Sequence, residues 1–154
     1  MNAIELLKKD HQEAMELMDQ LEGMGASAAG AGQKELFQRL KNALKLHTSI
    51  EEEIFYPAME KFDEARDMVA EAYQDHEAVD QLLAEMSTLP PGDQEFMDRL
   101  AELRDNVENH VDEEEGEMFP QAEQLIGQSR LQEMGRQMQQ RKQGRSAAAT
   151  TSRK

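Results

Sequence analysis

The chain has 154 residues, 38% of them hydrophobic, which suits one domain with one modest core. It has no cysteine, so disulfides, iron-sulfur clusters and thiolate zinc sites are excluded; a metal would need nitrogen and oxygen ligands, which leaves iron, manganese, zinc or copper. The net charge of −15 conceals a basic C-terminal stretch, with seven Lys or Arg against two Glu in 122–154, so the rest is a strongly acidic body that repels nucleic acid and anionic lipid and concentrates cations.

Glu, Gln, Leu, Met, Ala, Lys and Arg dominate, and these side chains lose little rotamer freedom in a helix. An all-α domain is expected. No apolar run has the length of a membrane span, and the start at Met1-Asn2-Ala3-Ile4-Glu5 lacks the basic and apolar regions of a signal peptide. A soluble, cytoplasmic protein is therefore expected.

Along the chain, the first apolar stripe runs Ile4, Leu7, Ala14, Met18, Leu21, with His11 in its one gap. A glycine-rich stretch from Gly23 to Gly32 then reads as a loop. The second helix is expected from about Gln33 to Phe62, and its inward face reads Phe37, Leu40, Leu44, His47, Glu51, Ile54, Ala58. Pro57 lacks an amide hydrogen and should bend or loosen that helix. The third face reads Val69, Ala72, His76, Val79, Leu83, Met86 and stops at the turn Leu89-Pro90-Pro91-Gly92. Asp93 can cap the fourth, which reads Phe96, Leu100, Leu103, Val107, His110, Glu114, Met118 and is closed by Pro120.

Four amphipathic helices with short connections predict an antiparallel up-down-up-down four-helix bundle over residues 1–121. Residues 122–154 form an extension, where Leu125, Ile126, Leu131, Met134 and Met138 suit a short fifth helix. The end beyond Gly144 has no apolar periodicity and is expected to be a disordered basic tail that screens itself against the acidic body.

All four histidines fall in a doubled pattern. Asp10-His11 recurs as Asp75-His76, and His47 with Glu51 recurs as His110 with Glu114. Residues four apart share a helix face, so each His/Glu pair can clamp one point. All six polar residues sit where Leu or Ile would be expected. A buried carboxylate without a partner costs several kcal/mol, and a dication removes that cost while taking the imidazole lone pairs. Six such ligands suit two octahedral metals that share both carboxylates. One His on an apolar face is more often a hydrogen-bonded core residue than a ligand, but a repeated set of six argues against that reading. Glu52, Glu53, Glu113 and Glu115 read as solvated faces of charge runs, and the methionines as core filler.

At these motifs the chain resembles the hemerythrin-like family with its HHE cation-binding domain. That family carries His on the first helix, HxxxE on the second, His on the third and HxxxE on the fourth. HTSIEEEIFYP (47–57) and HVDEEEGEMFP (110–120) are very close to its pattern, and the resemblance covers about residues 3–121. It implies a non-haem di-iron centre with an oxo or hydroxo bridge. In it, His11 and His47 bind one iron, His76 and His110 the other, and Glu51 and Glu114 bridge them. Manganese or zinc remains a competitor for the site.

The expected small-molecule partner is peroxide, dioxygen or nitric oxide. The oxygen-carrying members have a fifth His where this chain has Ala72, and Asp80 stands at the following turn. Tyr73 is then the nearest candidate for an extra oxygen ligand, and Tyr73 and Tyr56 are candidates to support the site. An open position favours peroxide consumption of catalase or peroxidase type over oxygen carriage. A non-catalytic module that binds or senses oxygen, nitric oxide or iron is the rival reading, and a partner-binding bundle with a vestigial motif is a third. A monomer is compatible with all three.

Overall fold

A computed structural model of the chain describes residues 1–24, 31–90 and 92–152. Among these, helices α1 (Ala3–Met24), α2 (Ala31–Ile50), α4 (Arg66–Ser87) and α5 (Gln94–Glu113) are the long rods of the bundle. Short helices α3 (Tyr56–Glu60) and α6 (Phe119–Leu125) continue α2 and α5, and α7 (Gln128–Ser152) is a fifth rod. Helix α1 packs on α2 and α5, and α4 packs on α5 and α2, which closes a four-rod ring. The expected bundle is therefore the observed one. The central part of the glycine-rich loop, residues 25–30, lies outside the described residues, but the helices on either side take in Gly23 and Gly32.

The expected boundaries hold where local chemistry is strong. Asp93 accepts a hydrogen bond from the Glu95 amide at 2.8 Å and starts α5. The Thr88 and Leu89 amides bond back to Glu85 and Met86 and end α4. Gly127, with φ of 88°, supplies the left-handed residue between α6 and α7.

The two prolines act differently from a simple bend or stop. Each follows a widened turn with five-residue bonding: Glu51–Phe55 before Pro57, where the Tyr56 amide reaches the Glu51 carbonyl, and Glu114–Met118 before Pro120, where the Phe119 amide reaches Glu114. Proline cannot bond back four residues and its ring presses on that carbonyl, so one extra residue in the turn relieves both conflicts. Helix continues past Pro120 to Leu125 instead of closing there. The extra residue also rotates the inward face, so Phe55, Tyr56 and Met59 are buried while Ala58 is only half-buried.

The C-terminal helix is the larger departure. It is 25 residues long, neither short nor followed by an unstructured tail within the described residues. Leu131, Met134 and Met138 are fully buried against Ala3, Ile4 and Leu7 of α1, so the apolar positions seen in the sequence anchor it. Close approach needs Gly135, since a Cβ there would overlap the Met1 carbonyl. The polar half is held by ions. Lys142 binds Asp10, Arg145 binds Glu53 and Ser49, and Arg141 binds Glu53. Basic residues do screen the acidic body, as a docked helix.

Candidate metal centre

Two apolar clusters fill the bundle. One contains Ile50, Phe55, Tyr56, Met59 and Phe119 beneath α7, and the other contains Ala14, Leu44, Val79, Leu100 and Val107. Between them lies a buried polar layer of His11, His47, Glu51, His76, His110 and Glu114, each less than a tenth exposed. All six residues singled out by the doubled motif therefore meet in one place.

They form two groups that share the carboxylates. His11, His47, Glu51 and Glu114 are one, and Glu51, His76, His110 and Glu114 the other, with one ligand atom per residue and all within 4.8 Å of one another. Glu51 Oε1 stands 3.1 Å from Nε2 of both His47 and His76. Glu114 places Oε1 at 3.1 Å from His11 Nε2 and Oε2 at 3.3 Å from His110 Nε2. Each carboxylate thus touches one imidazole from each half.

Every imidazole is oriented from behind. His47 Nδ1–H donates to Asp10 at 3.0 Å and His110 Nδ1–H to Asp75 at 3.0 Å, while His11 donates to Glu115 at 2.8 Å and His76 to Glu52 at 2.7 Å. An ionised carboxylate only accepts, so each Nδ1 carries a proton and Nε2 faces the centre, where a metal would take its lone pair once that nitrogen is unprotonated. This corrects the reading of Glu52 and Glu115 as merely solvated charges. The aspartate beside the first His of each copy was the visible signal for two of these four partners, and the paired glutamate runs were the signal for the others.

The widened turns decide what lies over the layer. Five residues along a regular α-helix is about 140° around its axis, so Glu51 and Tyr56 would diverge; the extra residue brings them to one face. Tyr56 Oη donates to Glu114 Oε2 at 2.5 Å and lies 3.2 Å from Glu51 Oε1, 3.1 Å from His76 Nε2 and 3.3 Å from His110 Nε2. Its counterpart in the other half is Phe119, whose ring stacks on His11 with centroids 5.9 Å apart. Tyr73 does not reach the centre. Its hydroxyl turns outward to Glu60 at 3.0 Å, and only its ring meets Tyr56.

Charge in this layer is finely opposed. Burial works against protonated His47, yet the Glu51 charge and the hydrogen bond to Asp10 outweigh it and raise its pKa to about 10. His110 is raised to about 9 in the same way, against burial, by Glu114 and Glu51, and His76 is raised by Glu51 and Glu52. Burial alone would raise Glu51, but the surrounding imidazoles hold it well below the usual carboxylate range. Tyr56 is pushed well above 10 by burial and then by Glu51 and Glu114.

The donor set fits cations. His47 Nε2 and Glu51 Oε2 are buried without a hydrogen-bond partner, and both belong to the shared groups. Such atoms cost about 1–3 kcal/mol each when left unsatisfied, a sizeable part of a domain's stability of about 5–15 kcal/mol. A dication in each half would take these lone pairs and offset the carboxylate charge. Fold and centre together define a helical-bundle protein with a buried His/Glu cluster able to bind metal.

The hemerythrin HHE cation-binding domain profile matches residues 2–122, and the chain belongs to that family. A hemerythrin HHE cation-binding domain-containing protein from Mycobacterium kansasii has a similar crystal structure, with a TM-score of 0.84 and 28% identity over 99% of this chain and 93% of that one. A DNA nickase from Nostoc sp. is 29% identical over 119 residues, 77% of this chain and 33% of the relative. An uncharacterised hemerythrin-like protein of Schizosaccharomyces pombe is 28% identical over 87 residues, 55% of this chain and 43% of that protein. The chain thus spans less than half the length of these two curated relatives. Among the described residues, no helix is long and apolar enough to cross a membrane.

Proposed function

We propose that this is a di-iron hemerythrin-like protein that binds and consumes small oxygen species, peroxide foremost. His11 and His47 would hold one iron and His76 and His110 the other, with Glu51 and Glu114 shared between them. The observation that carries this reading is the sharing of both carboxylates by two buried four-residue groups. Residues 1–121 are the metal-binding bundle, and 122–154 an extension whose Arg141, Lys142 and Arg145 strap it to the bundle.

When bound, iron supplies one-electron redox chemistry toward peroxide, dioxygen or nitric oxide; the protein's own residues do the rest. Tyr56 would offer a cation in the second half an oxygen donor. Without a cation its neighbours hold the phenol protonated, and a cation in that half reverses the local sign. On the other side of the layer, Ala14, Leu44, Val79, Val107 and Val111 line a cavity of about 30 Å³ together with the four imidazoles. One water needs about 10–15 Å³ by this measure, so there is room for a molecule of two heavy atoms. An apolar lining admits uncharged peroxide, dioxygen or nitric oxide and disfavours ions.

The nickase activity of the longer Nostoc relative is not carried over, since the strongly acidic bundle repels a phosphate backbone. Metal analysis and the visible spectrum of protein loaded anaerobically with ferrous iron, then mixed with peroxide, test the proposal. Two irons per chain, oxo-bridged charge-transfer bands and sustained gas release are expected. A single stoichiometric spectral change without gas release would make it a binding module, and far fewer than two irons would sink the assignment of ligands.

A further inference from the structure

Tyr73 lies outside the centre yet touches it through one ring. Its aromatic ring meets that of Tyr56 edge to face, with centroids 5.3 Å apart and planes at 74°. Tyr56 Oη in turn touches Glu51, Glu114, His76 and His110. At its other end Tyr73 is half-exposed and donates to the Glu60 carboxylate at 3.0 Å. Tyr73 and Glu60 line a surface cleft of about 240 Å³ together with Arg66, Val69 and Ala70. Arg66 is tied to this edge by its own hydrogen bond to the Glu60 carbonyl at 3.1 Å.

We propose that Tyr73, Tyr56 and Glu60 form a redox relay by which small phenol or hydroquinone donors, bound at the Tyr73 cleft, are oxidised at the surface by peroxide consumed at the buried centre. This rests on the function proposed above. Three observations carry it. The two rings are in contact, so an electron crosses no gap between surface and centre. The outer phenol has a carboxylate in line with its O–H bond, which a neutral tyrosine needs because losing an electron makes that proton strongly acidic. The cleft holds this hydroxyl beside exposed Ala70 and the half-exposed Tyr73 ring, with Arg66 and Glu60 at its edge, a wall that suits the face and the hydroxyl of a small phenol. The cavity of about 30 Å³ beside the imidazoles is too small to admit such a donor, so a surface outlet would serve it.

The step balances as follows. Tyr73 loses one electron inward by way of the Tyr56 ring, and its O–H proton passes to Glu60. A donor ArOH then gives Tyr73 an electron and a proton, its own O–H bond breaking as that of Tyr73 reforms, and Glu60 releases its proton to water. Two such turns send two electrons inward and release two protons to water at the surface; with two protons taken up from water at the centre, one hydrogen peroxide becomes two waters and two ArO radicals leave.

The test uses iron-loaded full-length protein, hydrogen peroxide and hydroquinone. Spin trapping followed by peptide mass spectrometry should find the adduct on Tyr73 when hydroquinone is omitted, and hydroquinone should suppress it. Tyr73→Phe should abolish the adduct and slow hydroquinone oxidation by about tenfold or more with iron content unchanged. Glu60→Gln should keep the ring contact, slow the oxidation and enlarge its solvent deuterium isotope effect. Tyr73→Trp, which restores an oxidisable ring, should recover part of the rate. Peroxide consumption with no adduct on Tyr73, or hydroquinone oxidation at the unaltered rate in Tyr73→Phe, overturns the relay and leaves the proposed function standing. Two bound irons with no consumption of peroxide overturn both.

Discussion

The two halves of the centre are near copies in their imidazoles and carboxylates and differ in what packs over them. Both have two imidazoles, both share Glu51 and Glu114, and both use one Asp and one Glu to orient the rings. In the first half, Asp10 is buried at 7% exposure and bound by Lys142 of α7, and Phe119 covers His11. In the second, the Asp75 side chain is 39% exposed, and Tyr56 brings a hydroxyl to the Nε2 atoms of His76 and His110. The first half is capped by apolar and ionic packing, the second supplied with an oxygen donor and an aromatic contact to the surface. In the proposed function, the second half would therefore meet the small oxidant and the first would retain its cation.

The largest effect should come from removing what the halves share. Glu51→Gln keeps the shape but removes the charge next to His47 and His76, so both metals should be lost together. Elemental analysis after anaerobic iron loading checks this, and retention of even one full equivalent would contradict the bridging role. Tyr56→Phe makes the second half resemble the first and leaves Glu114 without its shortest hydrogen bond. Affinity at that half should fall about tenfold while the other is little changed, and ferrous titration should resolve two steps where the unaltered protein is closer to one.

Lys142→Met sharpens the comparison from the other side. Asp10 would stay buried without its cation, so the first half should lose about tenfold in affinity, and Lys142→Arg should restore most of it. Asp75→Asn is the matching change in the second half and should cost less, because Asp75 is already partly hydrated.

The pH response of the metal-free protein is the mildest probe. His47 and His110 have folded pKa values near 10 and 9, above the ordinary 6.5, so the stability they contribute is full below about pH 6.5 and is lost as pH rises through 9 to 10. Glu51 has the opposite sign: its contribution is present above its ordinary 4.5 and is lost as pH falls toward its depressed folded value. Metal-free protein should thus melt highest between about pH 5 and 6.5. Metal loading requires unprotonated Nε2 atoms and should shift that optimum upward, which thermal melts with and without metal would show.

The helix positions and the six buried polar residues were legible because each rests on local periodicity: apolar steps of three and four, and His with Glu one turn apart. The orienting acids were half legible. Asp10 and Asp75 stand beside a histidine in both copies, but a glutamate run offers no sign of which member turns inward, and Glu52 and Glu115 do so only because α4 and α1 present His76 and His11 to them. Tyr56 and Tyr73 exchanged their expected prominence for a similar reason. Spacing on a regular helix favours Tyr73, one residue past Ala72, whereas the widened turn before Pro57 rotates Tyr56 into the centre.

By itself, then, the sequence determined an all-helical bundle, its four inward faces and the chemistry of the layer that interrupts its core, since these follow from side-chain type repeated along one rod. Tertiary structure decided which acid stands behind each imidazole, that Lys142 reaches across to Asp10, and that the C-terminal segment is a full fifth helix. Those features depend on distances between rods. A contact between residues more than a hundred positions apart leaves no periodic trace in the chain that makes it.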